Sequence, residues 1–526
     1  MKTIEDLSLG FSDAQNYTQR RNKDFFNEIF VKNIFLDQLL QPNIYFLIGE
    51  KGTGKTAYAT YLANNNYKET KAQITFLSST DYDKFYTLKK RNDLDLTGYV
   101  GIWKVILLLL LAQNVAENDT DRFFSLKKSK VNSLITAIND YYNHAFAPEI
   151  TNVMKVIDDN SAVAKIMHKC LSLGCESKNT IEFSETKFQY NLYYIEKTLA
   201  EAISKVKLIK DIVLFVDGID IRPNTILYSD YIECIKGLVD ATWNLNTNLL
   251  SNTKGPKKQF RIVLLLRPDI FNALNLQNAT NKLLDNSVLL DWQTVYQTYK
   301  TSYLYEVAKK LLANKQNVDL EDIFETYFPW KVASTNDERE YDTAFMLFLK
   351  ISLSRPRDIL VIMQYLRREM IREGKGKEKI FFKKIFDSDN FQNKYSEYFM
   401  SSLKDQLSFY YSDSDFEHFI KIFDYFKKSS FDFSEYEKNY DKFIEYILEN
   451  AKEIPEFVDD SKKLLQLLYE SNIIMAVETN ERNKTFFHFS YREKDLANIN
   501  PKVPIGENIT YRFHYGLYKR NKIGKF

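Results

Sequence analysis

The chain has 526 residues, of which 27% are charged and 44% hydrophobic, and Lys and Arg outnumber Asp and Glu by only 72 to 70. These proportions are those of a globular protein, so they argue against a disordered chain, a membrane protein and a polycationic nucleic-acid binder. The length predicts roughly two to four domains, and the scarcity of glycine and proline favours a helix-rich protein with a modest sheet.

Cysteine usage and apolar patterning bear on the cellular location. Three cysteines are an odd and sparse set, and His168, Cys170 and Cys175 lack the second ligand pair of a zinc site. The longest apolar run, 105–112, is too short to span a membrane and predicts a buried helix segment. The first ten residues show no signal-peptide pattern, so we expect a cytoplasmic protein without a membrane partner.

The first predicted strand, 44–48, leads into a glycine-rich turn. Residues 49–56 read GEKGTGKT and match the P-loop pattern G-x-x-x-x-G-K-[ST]. Such a loop wraps a phosphate with successive backbone N–H groups, while Lys55 reaches the β- and γ-phosphates and Thr56 offers its hydroxyl to Mg²⁺. The pattern predicts ATP and Mg²⁺ as cofactors, and the alternative is a glycine turn without nucleotide. The predicted nucleotide-binding residues of this segment are Gly49, Gly52, Thr53, Gly54, Lys55, Thr56 and Ala57.

A second strand is predicted at 73–77, and the next one begins only at 212. This interval is much longer than a normal crossover connection. Apolar spacing typical of helices predicts that it forms a helical insertion, at about 99–207, within the ATPase domain. The helices predicted in the insertion are 99–116, 123–144 and 190–207.

The predicted strand 212–216 ends at an acidic residue, as a Walker B strand does. Its carboxylate, Asp217, would lie at the C-terminal edge of the sheet beside the P-loop and is a predicted Mg²⁺ ligand. Gly218 occupies the position where the water-activating Glu of many such motifs would sit. Asp220 is the next carboxylate and could orient or deprotonate the attacking water. The alternative for Asp220 is a helix cap.

Two further buried strands, 260–266 and 287–290, bring the predicted count to five. Arg267 follows the first of them, where a guanidinium can contact a γ-phosphate; the alternative is a salt bridge to Asp269. Five short apolar strands separated by helical segments predict an α/β P-loop NTPase core with a five-stranded, mostly parallel sheet. We assign this ATPase domain to residues 1–295.

Four motifs occur in an order that resembles the AAA+-related P-loop ATPases of the STAND and origin-recognition-like groups. They are GEKGTGKT, FVDGID, LLLRPDIF and SRPRDIL. Leu9, Gly10, Asp13 and Ala14 also resemble the start of a poorly characterised family of bacterial P-loop ATPases. The resemblance covers the core motifs well and the C-terminal third loosely.

This resemblance implies roles for several residues and a biological setting. Lys55 and Thr56 would bind phosphate and Mg²⁺, Asp217 would bind Mg²⁺, Asp220 would assist the water, and Arg267 would act as sensor 1. Gly218 departs from the usual pattern and implies slow or partner-dependent hydrolysis. Members of these groups are often encoded with phage-defence or mobile-element genes, so the resemblance implies a role in antiphage defence.

In the same groups an arginine from a helical lid senses the nucleotide. Arg355 and Arg357 of SRPRD match that role in a predicted lid, 296–393. Pro356 suits the first turn of a helix predicted to run from 357 to about 370, which would aim both guanidiniums at the cleft. The alternative is a surface arginine pair near Asp358.

Residues 394–526 are predicted to form a C-terminal winged-helix-like α+β module. Strands 473–479 and 484–491, joined by a polar turn, follow predicted helices, and helix-turn-helix relatives can bind DNA. Ten Lys and Arg against four acidic residues in 481–526 form a basic end that could track phosphates. The alternative is a basic face that contacts only protein. The predicted helices are 395–407, 416–428, 436–449 and 461–471, and the tyrosines interleaved with the basic residues are Tyr491, Tyr511, Tyr515 and Tyr518.

Three functions remain open at this point. The first is an ATP-binding and ATP-hydrolysing switch or motor of the AAA+/STAND type. The second is a DNA-binding protein with a structural or slowly hydrolysed nucleotide, and a small-molecule kinase is a distant third. A homo-oligomer and a DNA or protein partner at the C-terminal module are the predicted associations.

Overall fold

The computed structural model describes residues 1–77, 96–117, 185–204, 206, 208–252, 258–316, 321–333, 341–481 and 484–523. The predicted helix 123–144 and the residues His168, Cys170 and Cys175 lie outside them. The chain forms two compact units. The first unit comprises Met1–Asn33, Glu50–Gly54 and Leu290–Phe526, and the second comprises Ile34–Gly49 and Lys55–Leu289. The predicted domain boundaries at 295 and 393 stay predictions.

The second unit contains a five-stranded sheet in which every pairing is parallel. Its strands are β1 (Phe46–Ile48), β2 (Thr70–Phe76), β3 (Asp211–Asp217), β4 (Phe260–Leu266) and β5 (Ser287–Leu289). The strand order is β2-β3-β4-β1-β5. Strands β1 and β4 are buried at every position, as the continuous apolar runs predict for strands covered on both faces. The prediction of five strands is confirmed, and the sheet is entirely rather than mostly parallel.

Helices accompany the strands of the second unit, as an α/β fold requires. They span Ile34–Leu39, Lys55–Asn64, Leu96–Glu117, Glu185–Ser204, Tyr228–Asn244, Pro268–Ala273 and Ala279–Asn286. The helix Leu96–Glu117 packs on two of the others: Trp103 Nε1 donates to the carbonyl of Cys234 at 3.1 Å, and Lys104 pairs with Glu196 at 3.0 Å. Its apolar run 105–112 is buried throughout, which confirms the prediction of a buried helix segment. In the described part of the chain, no helix is long and apolar enough to span a membrane.

The first unit is mainly helical and is packed through aromatic side chains. Its α-helices span Lys23–Ile29, Tyr303–Ala313, Ile323–Tyr327, Ala344–Ile351, Pro356–Arg372, Lys383–Phe386, Asp389–Leu407, Asp413–Phe419, Phe433–Asn450, Ser461–Glu470 and Ser490–Glu493. Phe328, for example, is 2% exposed and stacks on Phe381 with ring centroids 4.4 Å apart. Offset and edge-to-face contacts of this kind stabilise a core beyond the area they bury.

The first unit also contains two antiparallel sheets. A two-stranded sheet pairs β6 (Lys331–Ala333) with β7 (Tyr341–Thr343). A four-stranded sheet contains β8 (Ser430–Asp432), β9 (Ile474–Thr479), β10 (Thr485–His488) and β11 (Ile509–Phe513) in the order β10-β9-β11-β8. The predicted hairpin is therefore present as β9 and β10, whereas β8 and β11 were not predicted. The assignment of this α+β region as a winged helix stays a prediction.

Candidate functional site

The strand order of the second unit creates a crevice between β1 and β4. After β1 the chain crosses β4 and β3 to reach β2 at one edge of the sheet. After β4 it crosses β1 in the opposite direction to reach β5 at the other edge. Adjacent parallel strands whose connections depart in opposite directions form a topological switch point, and ligands of α/β sheets bind outside the carboxyl ends of strands at such a point. Gly49 and Arg267 directly follow these two strands, so the topology places predicted site residues at the crevice.

Residues 49–56, which the sequence predicts to be a phosphate-binding loop, are called the phosphate loop below. This segment begins and ends in the second unit. The N–H of Gly49 donates to the carbonyl of Leu266 at 3.1 Å and extends the β1–β4 ladder by one bond. Lys55 opens the helix Lys55–Asn64, is 8% exposed, and donates from Nζ to the carbonyl of Gly49 at 2.7 Å. The lysine side chain thus lies back along the loop. Ala57 lies in the first turn of the same helix, whose N-terminal N–H groups favour an anion.

Thr56 and Asp217 meet at the end of β3. The hydroxyl of Thr56 donates to Asp217 Oδ2 at 2.6 Å, although 161 positions separate the two residues. The N–H of Gly218 donates to the other carboxylate oxygen at 2.8 Å. A hydroxyl and a carboxylate in contact supply two oxygens of the kind that Mg²⁺ binds together with water and phosphate oxygens. The two predicted Mg²⁺ ligands are therefore brought together.

The surroundings of the Asp217 carboxyl disfavour its negative charge. Its burial raises its pKa above the ordinary value, and the nearby Asp220 carboxylate raises it further, against the lowering effects of the Thr56 hydrogen bond and of the Lys55 charge. A buried carboxylate that disfavours its own charge gains more from a bound cation than a solvated one does. The electrostatic influence of Asp220 also shows that this second acidic group lies near Asp217.

Gly218 and Asp220 lie in the turn that follows β3. Gly218 has φ +86°, and a Cβ at this position would lie 2.1 Å from the carbonyl oxygen of Leu77. No side chain fits there, which is a physical reason for the absence of a Glu after Asp217. Asp220 is half-buried and does not cap the following helix, which begins at Tyr228 with Leu227 in the capping position. The helix-cap alternative for Asp220 is therefore wrong.

Arg267 lies at the C-terminal end of β4, where its position in the sequence predicts it. Its side chain is fully buried and pairs with Asp269, with Nε 3.0 Å from Oδ1 and a second contact between the other pair of atoms. The salt bridge left open by the sequence is thus present. This two-point contact uses Nε and one terminal nitrogen of the guanidinium.

The middle of the phosphate loop, Glu50–Gly54, belongs to the first unit and is named the loop tip here. Gly52 and Gly54 have φ +91° and +98°, which only glycine adopts readily. The Thr53 hydroxyl donates to the carbonyl of Glu50 at 2.8 Å and closes the turn. Trp292 Nε1 donates to the carbonyl of Thr53 at 2.8 Å. Trp292 is a contact that the sequence did not reveal.

Arg355 and Arg357 contact the loop tip from the start of the helix Pro356–Arg372. Arg355 is 5% exposed and donates from one terminal nitrogen to the carbonyl of Lys51 at 2.8 Å. The N–H of Arg357 donates to the carbonyl of Gly52 at 3.4 Å, and its Nε donates to the carbonyl of Ser12 at 3.0 Å. Both predicted lid arginines therefore lie beside the loop tip, and Arg355 is not on the surface.

Asp358 fixes the direction of the Arg355 side chain. Its two oxygens accept from Arg355 Nε and from the other terminal nitrogen, each at 2.9 Å, and from the N–H of Leu353 and the hydroxyl of Tyr398. Burial alone would raise the pKa of Asp358, but the Arg355 charge and these donors hold it below its ordinary value. Asp358 was named in the sequence only as a neighbour, because its geometry depends on the fold.

Two of the four C-terminal tyrosines are buried, and Tyr491 and Tyr515 are partly buried. Tyr511 is 0% exposed and Tyr518 is 6% exposed, so their rings belong to the core of the first unit. Burial raises the pKa of Tyr511 to about 12. Lys519 pairs with Asp389 at 2.6 Å, and Arg520 and Lys522 are exposed. Binding of DNA to this basic end stays a prediction.

Comparisons of the chain with models of protein families, with curated proteins and with solved structures found no match.

Proposed function

We propose that the protein is a Mg²⁺-dependent ATPase that works as a nucleotide-dependent switch. The observation that carries this proposal is the 2.6 Å contact between the Thr56 hydroxyl and the Asp217 carboxylate. One residue ends a P-loop sequence and the other ends the strand predicted as Walker B. Neither a glycine turn without nucleotide nor a structural aspartate requires these two oxygens to meet.

The chemistry follows from the same groups. The loop N–H groups and Lys55 would bind the β- and γ-phosphates, and Thr56 and Asp217 would hold Mg²⁺ against the phosphate oxygens. Bound Mg²⁺ would supply electrostatic stabilisation of the charge that develops in phosphoryl transfer. Asp220 is the candidate for orienting the attacking water, because Gly218 leaves no room for an acidic side chain next to Asp217.

The switch would depend on arginines that can change partners. Arg267 is bound to Asp269, an acidic group with which a γ-phosphate would compete. Arg355 instead joins Asp358 to the carbonyl of Lys51. A ligand shifts an equilibrium only through contacts that differ between two states, and exchange of Arg267 from carboxylate to phosphate would be such a difference.

A place among AAA+-related STAND ATPases, with a role in antiphage defence, remains the biological part of the proposal. It rests on the order of GEKGTGKT, FVDGID, LLLRPDIF and SRPRDIL in the sequence. Cells that carry the wild-type gene would survive phage challenge better than cells that carry Lys55→Ala. Equal survival, with equal amounts of folded protein, would refute this role.

The biochemical proposal is tested by ATP turnover of purified wild type, Lys55→Ala and Asp220→Asn, with Lys502→Ala as a control. Lys502 is an exposed lysine far along the chain from the loop. We expect Lys55→Ala to lower kcat/KM by at least about 100-fold, since it removes the charge that contacts the phosphates. Asp220→Asn should lower kcat by roughly 10- to 100-fold with little change in KM. Equal turnover in all four proteins would refute the proposal.

A further inference from the structure

The loop tip, Glu50–Gly54, is held at several points by distant residues of the first unit. Three of these contacts are hydrogen bonds to its backbone carbonyls, from Trp292, Arg355 and Arg357. Two more are ion pairs made by the side chains of Glu50 and Lys51. The backbone of a phosphate-binding loop is its ligand-binding group, so contacts that hold this backbone affect its readiness to bind.

The two ion pairs differ greatly in burial. Glu50 pairs with Lys494, and the two side chains are 15% and 7% exposed. Lys51 pairs with Asp405 at 2.9 Å, and these side chains are 29% and 60% exposed. A buried pair cannot lose one partner without leaving a desolvated charge, whereas exposed pairs contribute little. Lys494 is therefore the buried ion-pair partner that the position of Glu50 depends on.

Lys494 is presented by a well-anchored segment. It directly follows the short helix Ser490–Glu493. Within that helix Glu493 accepts from the hydroxyl of Tyr469 at 2.7 Å and contacts Nδ1 of His488 at 2.7 Å. His488 in turn lies on β10, one of the two edge strands of the four-stranded sheet. The lysine thus ties the loop tip to the C-terminal part of the first unit.

A small cavity lies where the loop tip meets these residues. It has a volume of about 40 Å³ and is lined by Glu50 and Thr53 of the tip and by Gln406, Asn472 and Tyr491, among others. This volume suits a few water molecules. Residues from several segments of the first unit therefore surround the tip.

We propose that Lys494 is a positioning residue for the phosphate loop, which it holds in its nucleotide-binding shape through Glu50. The inference rests on the proposed ATP binding and adds a control point: the C-terminal α+β region sets nucleotide affinity without touching the nucleotide. A protein partner that pulls on this region would loosen the loop tip and favour nucleotide release. Lys494 has a second effect, because it neutralises an acidic side chain beside a loop that binds an anion.

Positioning and simple charge neutralisation predict opposite results for one variant. If Lys494 only offsets the Glu50 charge, Glu50→Gln removes the offending charge and tightens MgATP binding. If Lys494 positions the loop, Glu50→Gln weakens binding, as Lys494→Met does. The charge reversal Glu50→Lys with Lys494→Glu rebuilds the pair with its ends exchanged, so it should recover most of what either single reversal loses.

The experiment measures the Kd of MgATP for the full chain by titration calorimetry. We expect Lys494→Met and Glu50→Gln each to weaken binding by about 10-fold or more, and the double reversal to return within about 3-fold of wild type. Two controls should bind as wild type does: Asp405→Asn, which breaks the exposed pair to the same loop, and Lys502→Met, which removes an exposed lysine. Tighter binding by Glu50→Gln, or unchanged binding by both single variants, would overturn the proposal.

A second readout does not depend on ATP. Hydrogen exchange of the loop-tip amides, measured without nucleotide, should be faster in Lys494→Met than in wild type and unchanged in Asp405→Asn. Unchanged exchange in Lys494→Met would overturn the positioning role even if its Kd rises. A wild type that binds no ATP while exchange still rises in Lys494→Met would refute the ATPase and retain the contact between Lys494 and the loop. Lys494→Gln, which removes the charge but keeps a polar side chain, replaces Lys494→Met if that variant fails to fold, with the same expected results.

Discussion

At the scale of single residues, Asp217 is a carboxylate whose burial disfavours its own negative charge. Burial raises its pKa, and Asp220 adds to that effect. The donors that lower the pKa, Thr56 and the N–H of Gly218, fix both carboxylate oxygens in place. The group is therefore oriented and short of positive charge, which is the state in which a bound metal ion stabilises it most.

Gly218 permits the first testable prediction at this scale. Gly218→Ala must accept φ +86° and a Cβ placed 2.1 Å from the Leu77 carbonyl oxygen, whereas Gly374→Ala has φ +70° and no atom within 4 Å. Gly374→Ala should cost about 1–2 kcal/mol of unfolding free energy from backbone strain alone. Gly218→Ala should cost a further ~1–3 kcal/mol or more because the backbone of Leu77 must move. Chemical denaturation of both variants measures this difference.

Equal unfolding free energies for the two glycine variants would show that the turn after β3 relaxes freely. Gly218→Glu would then be able to supply a water-activating carboxylate. The geometry instead predicts that Gly218→Glu lowers ATP turnover, since the larger side chain displaces the turn that carries Asp217 and Asp220.

At the scale of elements, the helix Pro356–Arg372 illustrates how one N-terminus organises a neighbouring loop. Pro356 occupies the first turn, where no N–H is needed, and Arg355 precedes it in extended conformation. The Asp358 carboxylate lies in the same turn, where the positive end of the helix dipole stabilises it, and it forms an ion pair with the Arg355 guanidinium. The same two residues, Arg355 and Asp358, therefore form the start of the helix and its contact with the loop.

Asp358→Asn tests this arrangement. The substitution leaves the buried Arg355 charge uncompensated, so we expect a loss of about 3–5 kcal/mol in unfolding free energy. Tyr398→Phe removes only one of the hydrogen bonds to Asp358 and should cost about 1–2 kcal/mol. Denaturation of both variants gives the comparison, and a larger loss for Tyr398→Phe than for Asp358→Asn would contradict the account.

The elements that the sequence predicted best are those with strong local signals. β3 and β4 are unbroken apolar runs, and the helix after Pro356 has a clear start signal, so their positions were predicted within a few residues. β8 and β11 were missed because β8 has only three residues and β11 contains a charged residue within a basic segment. Their pairing depends on tertiary contacts rather than on local pattern.

The residues of the candidate site also fall into those that local sequence predicts and those that depend on tertiary contacts. Thr56 and Asp217 were predicted because motifs define phosphate-binding loops and strand-end carboxylates independently of the fold. Trp292 and Lys494 were not predicted, since their contacts join residues 239 and 444 positions apart. The orientation of Asp358 was not predicted, since it also depends on the N–H of Leu353 and the hydroxyl of Tyr398. A single lysine in a basic C-terminal segment carries no local sign that it contacts a P-loop.

At the scale of the whole molecule, the chain shares its phosphate loop between its two units. Gly49 and Lys55–Thr56 belong to the second unit, and the five residues of the loop tip belong to the first. Asp217 and Arg267 belong to the same unit as Gly49 and Lys55. Arg355 and Arg357 belong to the same unit as the loop tip.

Stability of the molecule should depend on pH through His514. This side chain is 1% exposed, accepts from the N–H of Gly516 and stacks on Phe399. Burial lowers its pKa from 6.5 to about 3, so the unfolded chain binds a proton that the folded chain does not. The contribution of neutral His514 to the free energy of unfolding is complete above about pH 6.5. It is lost as pH falls toward 3, at about 1.4 kcal/mol per pH unit.

Thermal unfolding of wild type and His514→Asn across this pH window measures the effect. Asn can still accept from the Gly516 N–H but does not titrate, so the Tm of the variant should fall less steeply with acidification. Parallel pH dependences for the two proteins would show that protonation of His514 does not control acid stability.

Thr56 and Asp217 are proposed to hold Mg²⁺ against the phosphates of ATP, and a titration of ATP binding with and without the metal tests this proposal. The Kd of ATP is measured with Mg²⁺ and with EDTA for wild type and Asp217→Asn. We expect Mg²⁺ to tighten ATP binding to wild type by at least about 10-fold and to Asp217→Asn by no more than about 2-fold. An equal effect of Mg²⁺ on both proteins, or no binding of ATP to wild type, would refute the proposed Mg²⁺ site.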